Sequence, residues 1–169
     1  MPDGLLEPGW RDENTDVGNA PRSTRRSLPI ALLRAREAVM SHFRPMLAHH
    51  NVTEQQWRVI RVLDEAGTLD ASEVAERAFV LAPSLTRMIR SLEERALITR
   101  HKDRGDGRRV LLKLAPAGKT LIRQVLPDSS KIYQALEEHY GQDRLASLVE
   151  MLDELASFRN ETGSPLLEE

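Results

Sequence analysis

The sequence has 169 residues and no cysteine, which fits one domain, or one domain plus a tail, and excludes disulfides and thiolate metal sites. Hydrophobic residues make up 40% and aromatic residues 4%, which is typical of a helical protein with an aliphatic core rather than a β-sandwich. No apolar run approaches the ~18–20 residues that span a membrane, and residues 1–27 lack the apolar segment of a secretory signal. We therefore expect a cytoplasmic protein.

The net charge of -2 hides an uneven distribution along the chain. Residues 1–20 carry five acids and one base, whereas residues 22–44 carry six arginines and one glutamate. Residues 87–109 carry eight lysines and arginines against four acids, and residues 137–169 carry nine acids against two bases. A charge run is usually a solvated face, but two basic blocks in a chain of near-neutral charge also suggest a nucleic-acid partner.

The chain begins with a polar stretch and continues into a helical pattern. Residues 1–27 combine Gly, Pro, Asn and Asp with few aliphatics, so we expect a flexible arm. Apolar residues recur at three- and four-residue steps over 28–50, which predicts a helix. Pro45 is expected to kink that helix or to begin a second short one.

A second helix is predicted to follow. Thr53 is placed to cap it and Gln56 to complete a capping box, while Gly67 is expected to end it. Asp70 or Ser72 then caps a short helix that runs to Ala78.

The next helix is predicted to start at Pro83, a favoured first helical residue. Its apolar residues lie three, four and seven positions apart, which indicates one buried face. Two short helices joined by a brief connection are typical of a helix-turn-helix. The apolar residues of the second of these helices are Leu85, Met88, Ile89 and Leu92.

Two strands are predicted at 98–102 and 108–114, joined by a turn with two glycines at 103–107. The segments 116–140 and 143–158 are predicted to be helices, with Pro127 bending the first. The fold class is therefore mainly α with a small β-hairpin. The last residues, 161–169, are expected to form a frayed tail.

A helix-turn-helix followed by a hairpin is the winged-helix arrangement, in which the second helix enters the DNA major groove. Hydroxyls suit phosphates and base edges, and arginines suit guanine edges and phosphates. An arginine on a thin loop reaches the minor groove, and a nearby aspartate orients it. The candidate DNA-binding residues are Ser84, Thr86, Arg87 and Arg90 on the helix, and Arg104, Asp106, Arg108 and Arg109 in the hairpin.

The segment from Val52 to Gly118 resembles the MarR family of winged-helix transcriptional regulators. The resemblance rests on VTEQQWRVI, SLTRMIRSLEERALI, DRGDGRRVLLKL and APAG, and the family's wing signature falls on Asp106 and Arg108. Ala96 stands where the family usually has Gly and is expected to tighten the turn, and Ala115 stands where it usually has Thr. The arm 1–27 is not a family feature.

The stretches IALLRAREAVMSHFRP and HNVTEQQWRVIRVL are similar to the homoprotocatechuate-degradation branch of the family (HpaR/HpcR type). This resemblance implies a repressor of an operon that degrades hydroxyphenylacetates, released from DNA by a small phenolic carboxylate. A regulator of another stimulus, such as a metal or an antibiotic or phenolic stress, is the alternative.

The resemblance also implies a homodimer that binds an inverted-repeat operator in double-stranded DNA. It divides the domain 28–160 into a DNA-binding part, 53–115, and dimerisation helices, 28–50 and 116–158. An apolar stripe on the last helix would be covered by a second copy better than by the small domain itself. The candidate interface residues are Leu145, Leu148, Leu152 and Leu155.

A pocket for an aromatic carboxylate needs an arginine, a hydroxyl and an apolar wall. The two helices at 28–50 and 53–66 offer Ser41, Arg44, Trp57, Arg58 and Arg61. The plainer interpretation makes Trp57 a core residue and the arginines surface or ion-paired residues.

Other classes of function find little support in the sequence. It contains no HExxH, GxSxG, P-loop or dinucleotide-binding motif, so we expect no enzyme and no cofactor. Its histidines could still serve a metal-responsive regulator, together with carboxylates. A winged helix that binds only protein is the third alternative, which the arginines on the second helix oppose.

Overall fold

Six helices and three short strands make up the computed structural model, which describes residues 27–102 and 109–162. The helices are α1 Leu28–His49, α2 Glu54–Ala66, α3 Ala71–Arg77, α4 Ala82–Glu94, α5 Pro116–Tyr140 and α6 Gln142–Thr162. The strands are β1 Thr68–Asp70, β2 Ile98–Lys102 and β3 Val110–Leu114. The predicted fold class, mainly α with a small hairpin, is confirmed. The predicted arm 1–27, apart from its last residue, the turn at 103–107 and the end of the tail lie outside the described residues.

The chain divides into two compact units, residues 1–38 and 39–169. The described part of the first unit is the beginning of α1, where Leu28 and Leu33 are more than half exposed. The second unit contains the remainder of α1 and every other element. In this unit α1 continues through Pro45 to His49, so the second short helix considered for that position does not form.

Two capping boxes start α2 and α3. The Thr53 hydroxyl accepts from the Gln56 N–H at 3.2 Å, and the Gln56 side chain accepts from the Thr53 N–H at 3.0 Å. Asp70, rather than Ser72, makes the same reciprocal pair with Glu73 at 2.9 and 2.8 Å. Each box satisfies two donors that a helix start otherwise leaves unpaired.

The core of the second unit lies between the end of α1, α2, α3, α4, the sheet and the start of α5. Its apolar residues come from all of these elements, and none of the buried side chains among the described residues is polar or charged. The most deeply buried are Leu47, Val59, Ile60, Leu63, Val74, Leu92, Ile98, Leu112 and Val125.

The three strands form one antiparallel sheet in the order β1-β3-β2. The predicted hairpin strands β2 and β3 pair with Ile98 opposite Leu114 and Arg100 opposite Leu112. The sequence patterns did not predict β1, whose Leu69 pairs with Leu112. Three residues are too few to show an alternating pattern, and β1 exists because β3 offers it a partner.

Helix α5 spans its predicted segment and continues through Pro127, while α6 extends beyond the predicted 143–158 at both ends. The first turn of α5 approaches the chain that leaves α4. A Cβ added to Gly118 would overlap the Leu97 carbonyl and the Leu114 side chain, so this contact requires glycine.

Both departures from the family pattern fall at helix ends. Ala115 is the N-cap of α5 and has no side chain that could bond to the first turn. Ala96 follows α4 in the left-handed region, with φ 53°. The Ala96 N–H donates to the Glu93 carbonyl and the Leu97 N–H to the Leu92 carbonyl, both at 2.9 Å, which is a Schellman motif.

We predict that Ala96→Gly raises the free energy of unfolding by roughly 0.5–1 kcal/mol, because glycine adopts this conformation without a Cβ penalty. Urea denaturation followed by circular dichroism measures the change. As a control, Ala146→Gly in the exposed interior of α6 should lower the free energy of unfolding by about 1 kcal/mol. Equal destabilisation by both changes would contradict the interpretation of Ala96.

Candidate DNA-binding surface and effector region

Helix α4 separates into a buried row and an exposed row. The buried row points into the core and consists of Leu85, Ile89 and Leu92. On the opposite side Thr86, Arg87 and Arg90 are exposed, and Ser84 is half-buried. The structure therefore places the four candidate residues of this helix on or beside one solvent-facing surface, as an amphipathic helix requires.

The two arginines of the exposed row differ in their contacts. The Arg90 Nε donates to Glu94 Oε1 at 3.0 Å, in an ion pair whose side chains are 81% and 64% exposed. Pairs this exposed contribute about 0.2–1 kcal/mol, so a phosphate can replace the glutamate. Within residues 27–102 and 109–157, Arg87 has no hydrogen-bond or ion-pair partner. None of its donors is taken up by this part of the chain, so they can serve a ligand.

The hairpin of β2 and β3, here called the wing, is bonded to α4. The Arg100 Nη2 donates to Glu93 Oε2 at 2.6 Å, which joins the wing to the last turn of that helix. Sequence patterns did not indicate this pair, because the two residues become neighbours only when β2 folds back beside α4. The pair fixes the orientation of the wing relative to the exposed row.

Arg109 at the base of the wing contacts α3. Its Nη2 donates to the carboxylate of Asp70, and Glu73 lies 4.0 Å from the same nitrogen. Asp70 therefore caps α3 and binds the wing at the same time. The other candidate wing residues, Arg104, Asp106 and Arg108, lie outside the described residues.

The pKa of Asp70 is lowered from its usual 3.8, first by the hydrogen bond from the Glu73 backbone N–H and next by the Arg109 side chain. Both contacts favour the charged carboxylate. A carboxylate whose pKa is lower in the folded than in the unfolded state stabilises the fold at pH values above its unfolded-state pKa. That contribution is lost as the pH falls through the folded-state pKa.

We predict that Asp70→Asn keeps a cap on α3, since Asn caps helices well, but removes this titration. The stability difference between wild type and variant should be largest near neutral pH. It should shrink as the pH falls below about 4. Urea denaturation at a series of pH values measures it. Arg109→Ala should weaken the pH dependence of the free energy of unfolding without removing the cap. A stability difference between wild type and Asp70→Asn that does not change with pH would contradict the role of Asp70.

The candidate effector residues on α2 are held by neighbours. Trp57 is half-buried and packs against the core. The Arg61 guanidinium lies 2.7 Å from Glu65 and 3.6 Å from Asp64. The Arg58 Nη1 donates to the Phe79 carbonyl at 3.3 Å, while its buried Nε has no partner among the described residues. Trp57 and Arg61, four residues apart, share a face of α2.

The candidate effector residues on α1 are Ser41 and Arg44, both exposed. The Arg44 Nε donates to Glu54 Oε2 at 3.4 Å. Arg44 also lines a cavity of about 420 Å³ at the junction of α1 and α2, together with Ala48, Val52 and Thr53. The candidates on α2 do not line this cavity, so the five predicted residues do not share it.

The apolar stripe on α6 faces away from the chain's own core. Leu148, Leu152 and Leu155 are 45%, 38% and 42% exposed, and Leu145 is half-buried. Within the described residues no helix could span a membrane, and no group of three or more His, Asp or Glu side chains could hold a metal ion. An aliphatic stripe left open in a single chain is the pattern of a surface that another protein covers.

Comparison with known proteins agrees with this architecture. Residues 50–109 match the model of the MarR family. The chain is 41% identical over 143 residues to the HTH-type transcriptional regulator FarR of Neisseria gonorrhoeae. The aligned part covers 85% of this chain and 98% of the relative. It is 37% identical over 134 residues to the homoprotocatechuate degradative operon repressor of Escherichia coli, covering 79% and 90%.

Two solved structures extend the comparison. NadR in complex with 4-hydroxyphenylacetate is 42% identical, with a TM-score of 0.71 over 82% of this chain and 98% of that one. The repressor CouR bound to a 23-mer DNA duplex is 26% identical, with a TM-score of 0.73 over 82% and 99%. This chain belongs to the MarR family and is a transcriptional repressor of that type.

Proposed function

We propose that this chain acts in the cytoplasm, as a regulator rather than an enzyme, and represses an operon that degrades a hydroxylated aromatic carboxylate. It would bind an inverted-repeat operator as a homodimer and leave it when that compound binds. The observation that carries the proposal is the exposed row of α4, with Arg87 unpartnered among the described residues and the wing bonded beside it. The relatives supply the class of operon, since one is a repressor of homoprotocatechuate degradation.

The shape and charge of this surface suit the DNA major groove, which is ~12 Å wide and admits one helix. Arg87 would pair with the O6 and N7 of a guanine, and the hydroxyls of Ser84 and Thr86 would bind phosphates or base edges. The wing would follow the adjacent backbone, with Arg104 and Arg108 toward the minor groove and Asp106 orienting its neighbours. Arg109, which Asp70 holds at the base of the wing, would face the backbone phosphates. The repressor CouR, 26% identical to this chain, is known bound to a 23-mer DNA duplex, which supports DNA as the partner of this surface.

We predict that Arg87→Ala weakens binding to a specific operator by about 1–3 kcal/mol and relaxes the base preference at one position of each half-site. Fluorescence anisotropy with operator duplexes in which that position is varied measures both effects. Arg144→Ala, which removes an exposed arginine from α6, is the matched control and should leave binding unchanged. Unaltered affinity and base preference in Arg87→Ala would exclude α4 as the recognition helix.

The exposed apolar stripe of α6 supports a homodimer. Homodimers are typical of MarR structures, and the leucine stripe at Leu145, Leu148, Leu152 and Leu155 would be buried by one. A two-fold dimer would place its two α4 helices about 34–36 Å apart, so that each reaches a half-site one helical turn from the other.

Leu152→Asp should separate the dimer, because a carboxylate buried among apolar neighbours costs several kcal/mol unless it is paired. Light scattering is expected to show monomer or aggregate, with specific DNA binding lost at the same protein concentration. Ser147→Asp adds the same charge to an exposed position of α6 outside the stripe and should leave the dimer intact. A dimeric Leu152→Asp variant that binds DNA would place the interface elsewhere.

Residue chemistry and one relative support an aromatic carboxylate as the effector. NadR, 42% identical, is known in complex with 4-hydroxyphenylacetate. In this chain Trp57 and Arg61 share a face of α2, which offers a flat wall for a ring and a guanidinium for a carboxylate. Arg58, Arg44 and Ser41 are the further candidate partners. A ligand carboxylate would take the place that Glu65 and Asp64 now hold beside Arg61.

We predict that 4-hydroxyphenylacetate binds the free dimer and lowers its affinity for DNA, and that DNA lowers the affinity for the ligand by the same factor. Isothermal titration of the ligand into free and DNA-bound protein measures this factor. 4-Hydroxyphenylethanol, which lacks the carboxylate, should bind more weakly, and Arg61→Gln should remove that discrimination. Equal ligand affinity for the free and DNA-bound dimer would contradict the release mechanism while leaving the DNA interface standing.

A further inference from the structure

The turn between α3 and α4 displays two large apolar side chains. Phe79 is 81% exposed and Leu81 is 79% exposed, the highest values for large hydrophobic residues in the described part of the chain. Val80 between them is 8% exposed and belongs to the core. The turn thus anchors its middle residue in the core and presents the residues on either side of it to solvent.

Phe79 is poorly suited to its backbone conformation. Its φ is 50°, in the left-handed region where a bulky side chain is strained and glycine is not. The conformation is required because the Phe79 and Val80 N–H groups close α3 by donating to the Glu76 and Ala75 carbonyls at 3.1 and 2.9 Å. Glycine or asparagine would fill this position with less strain.

Leu81 is poorly suited to its position for a different reason. It is the N-cap of α4, where Ser, Thr, Asp or Asn would bond to an N–H of the first turn, and it makes no side-chain cap. Two neighbouring positions therefore hold exposed apolar residues that the local fold disfavours. Residues that lower stability without local compensation are expected at functional sites.

Hydrogen bonds join the turn to the start of α4 and to α2. The Leu81 carbonyl accepts from the Ser84 and Leu85 N–H groups at 3.0 Å, and the Phe79 carbonyl accepts from Arg58 at 3.3 Å. Leu81 is thus fixed at the start of α4, about one helical turn ahead of Ser84 and nearly two turns ahead of Arg87. The exposed apolar pair therefore lies directly before the N-terminal turn of α4.

We propose that Phe79 and Leu81 contact thymine methyl groups and deoxyribose at the edge of the major groove, and so give each half-site a thymine preference beside the base that Arg87 contacts. The inference rests on the proposed entry of α4 into that groove. The thymine methyl is the apolar feature that base edges present there, which makes it the natural partner of an exposed apolar pair. A second copy of the chain is the competing occupant.

The test uses the full-length protein and a duplex selected by the wild type from a random-sequence library. The selected duplex is synthesised with thymine or with uracil, which lacks the methyl group. The variants are Phe79→Gly, suited to the left-handed position, and Leu81→Ser, suited to the N-cap. Ala96→Gly, which relieves the same backbone strain at the other end of α4, is the control.

We expect both variants to melt no lower than wild type and to bind the thymine duplex several-fold more weakly. Wild type should lose about fourfold in affinity for each contacted methyl that uracil removes, and the variants should lose less. Ala96→Gly should bind both duplexes as wild type does. Wild-type affinity and thymine dependence in both variants, or a loss of dimer in Phe79→Gly measured by light scattering, would overturn the proposal. If Arg87→Ala binds as tightly as wild type, or the wild type selects no sequence, the DNA interface itself fails.

Discussion

The burial of one face of α4 is the constraint on which the rest of the structure depends. Leu85, Ile89 and Leu92 must enter the core that α2, α3 and the sheet share, and this fixes the rotation of the helix about its axis. Once that rotation is set, Thr86, Arg87 and Arg90 can only face solvent. The polar surface is therefore a consequence of apolar packing and needs no polar interactions of its own to be held in place.

Local bonds then position the neighbours of α4 relative to that face. Glu93 binds Arg100 of the wing, and Asp70 binds Arg109 while capping α3. These pairs are partly exposed, so they contribute less to the free energy of folding than to the geometry. An element that carries a DNA contact gains from such a bond because the orientation is set before the ligand arrives, which lowers the entropy lost on binding.

The sequence predicted the elements whose signals are local. The capping box at Thr53 and Gln56, the stripe on α4 and the first wing strand formed where their patterns placed them. The second wing strand begins at Val110, inside the predicted segment 108–114. β1 was missed because its stability comes from β3 and not from its own residues. The five effector candidates show the same limit, since spacing along two helices does not say which side chains meet. Arg58 turned toward the Phe79 carbonyl, a contact that no pattern along one helix encodes. Arg61 pairs with Glu65 at the i,i+4 spacing, which agrees with the plainer interpretation of an ion-paired arginine.

Exposed apolar surface connects the DNA-binding and effector roles. The second unit fills its core with aliphatic residues yet leaves the stripe on α6 exposed. A single copy therefore buries the apolar residues of its winged domain but not those of its terminal helix. Covering that stripe with a second copy would set the distance between the two α4 helices. That distance must match the spacing of the two DNA half-sites, about 34–36 Å. An effector would act only if it binds one spacing more tightly than the other, because a ligand shifts a conformational equilibrium by no more than its difference in affinity for the two states. The proposed ligand site on α2 would meet that condition, since α2 packs against α3 and β3.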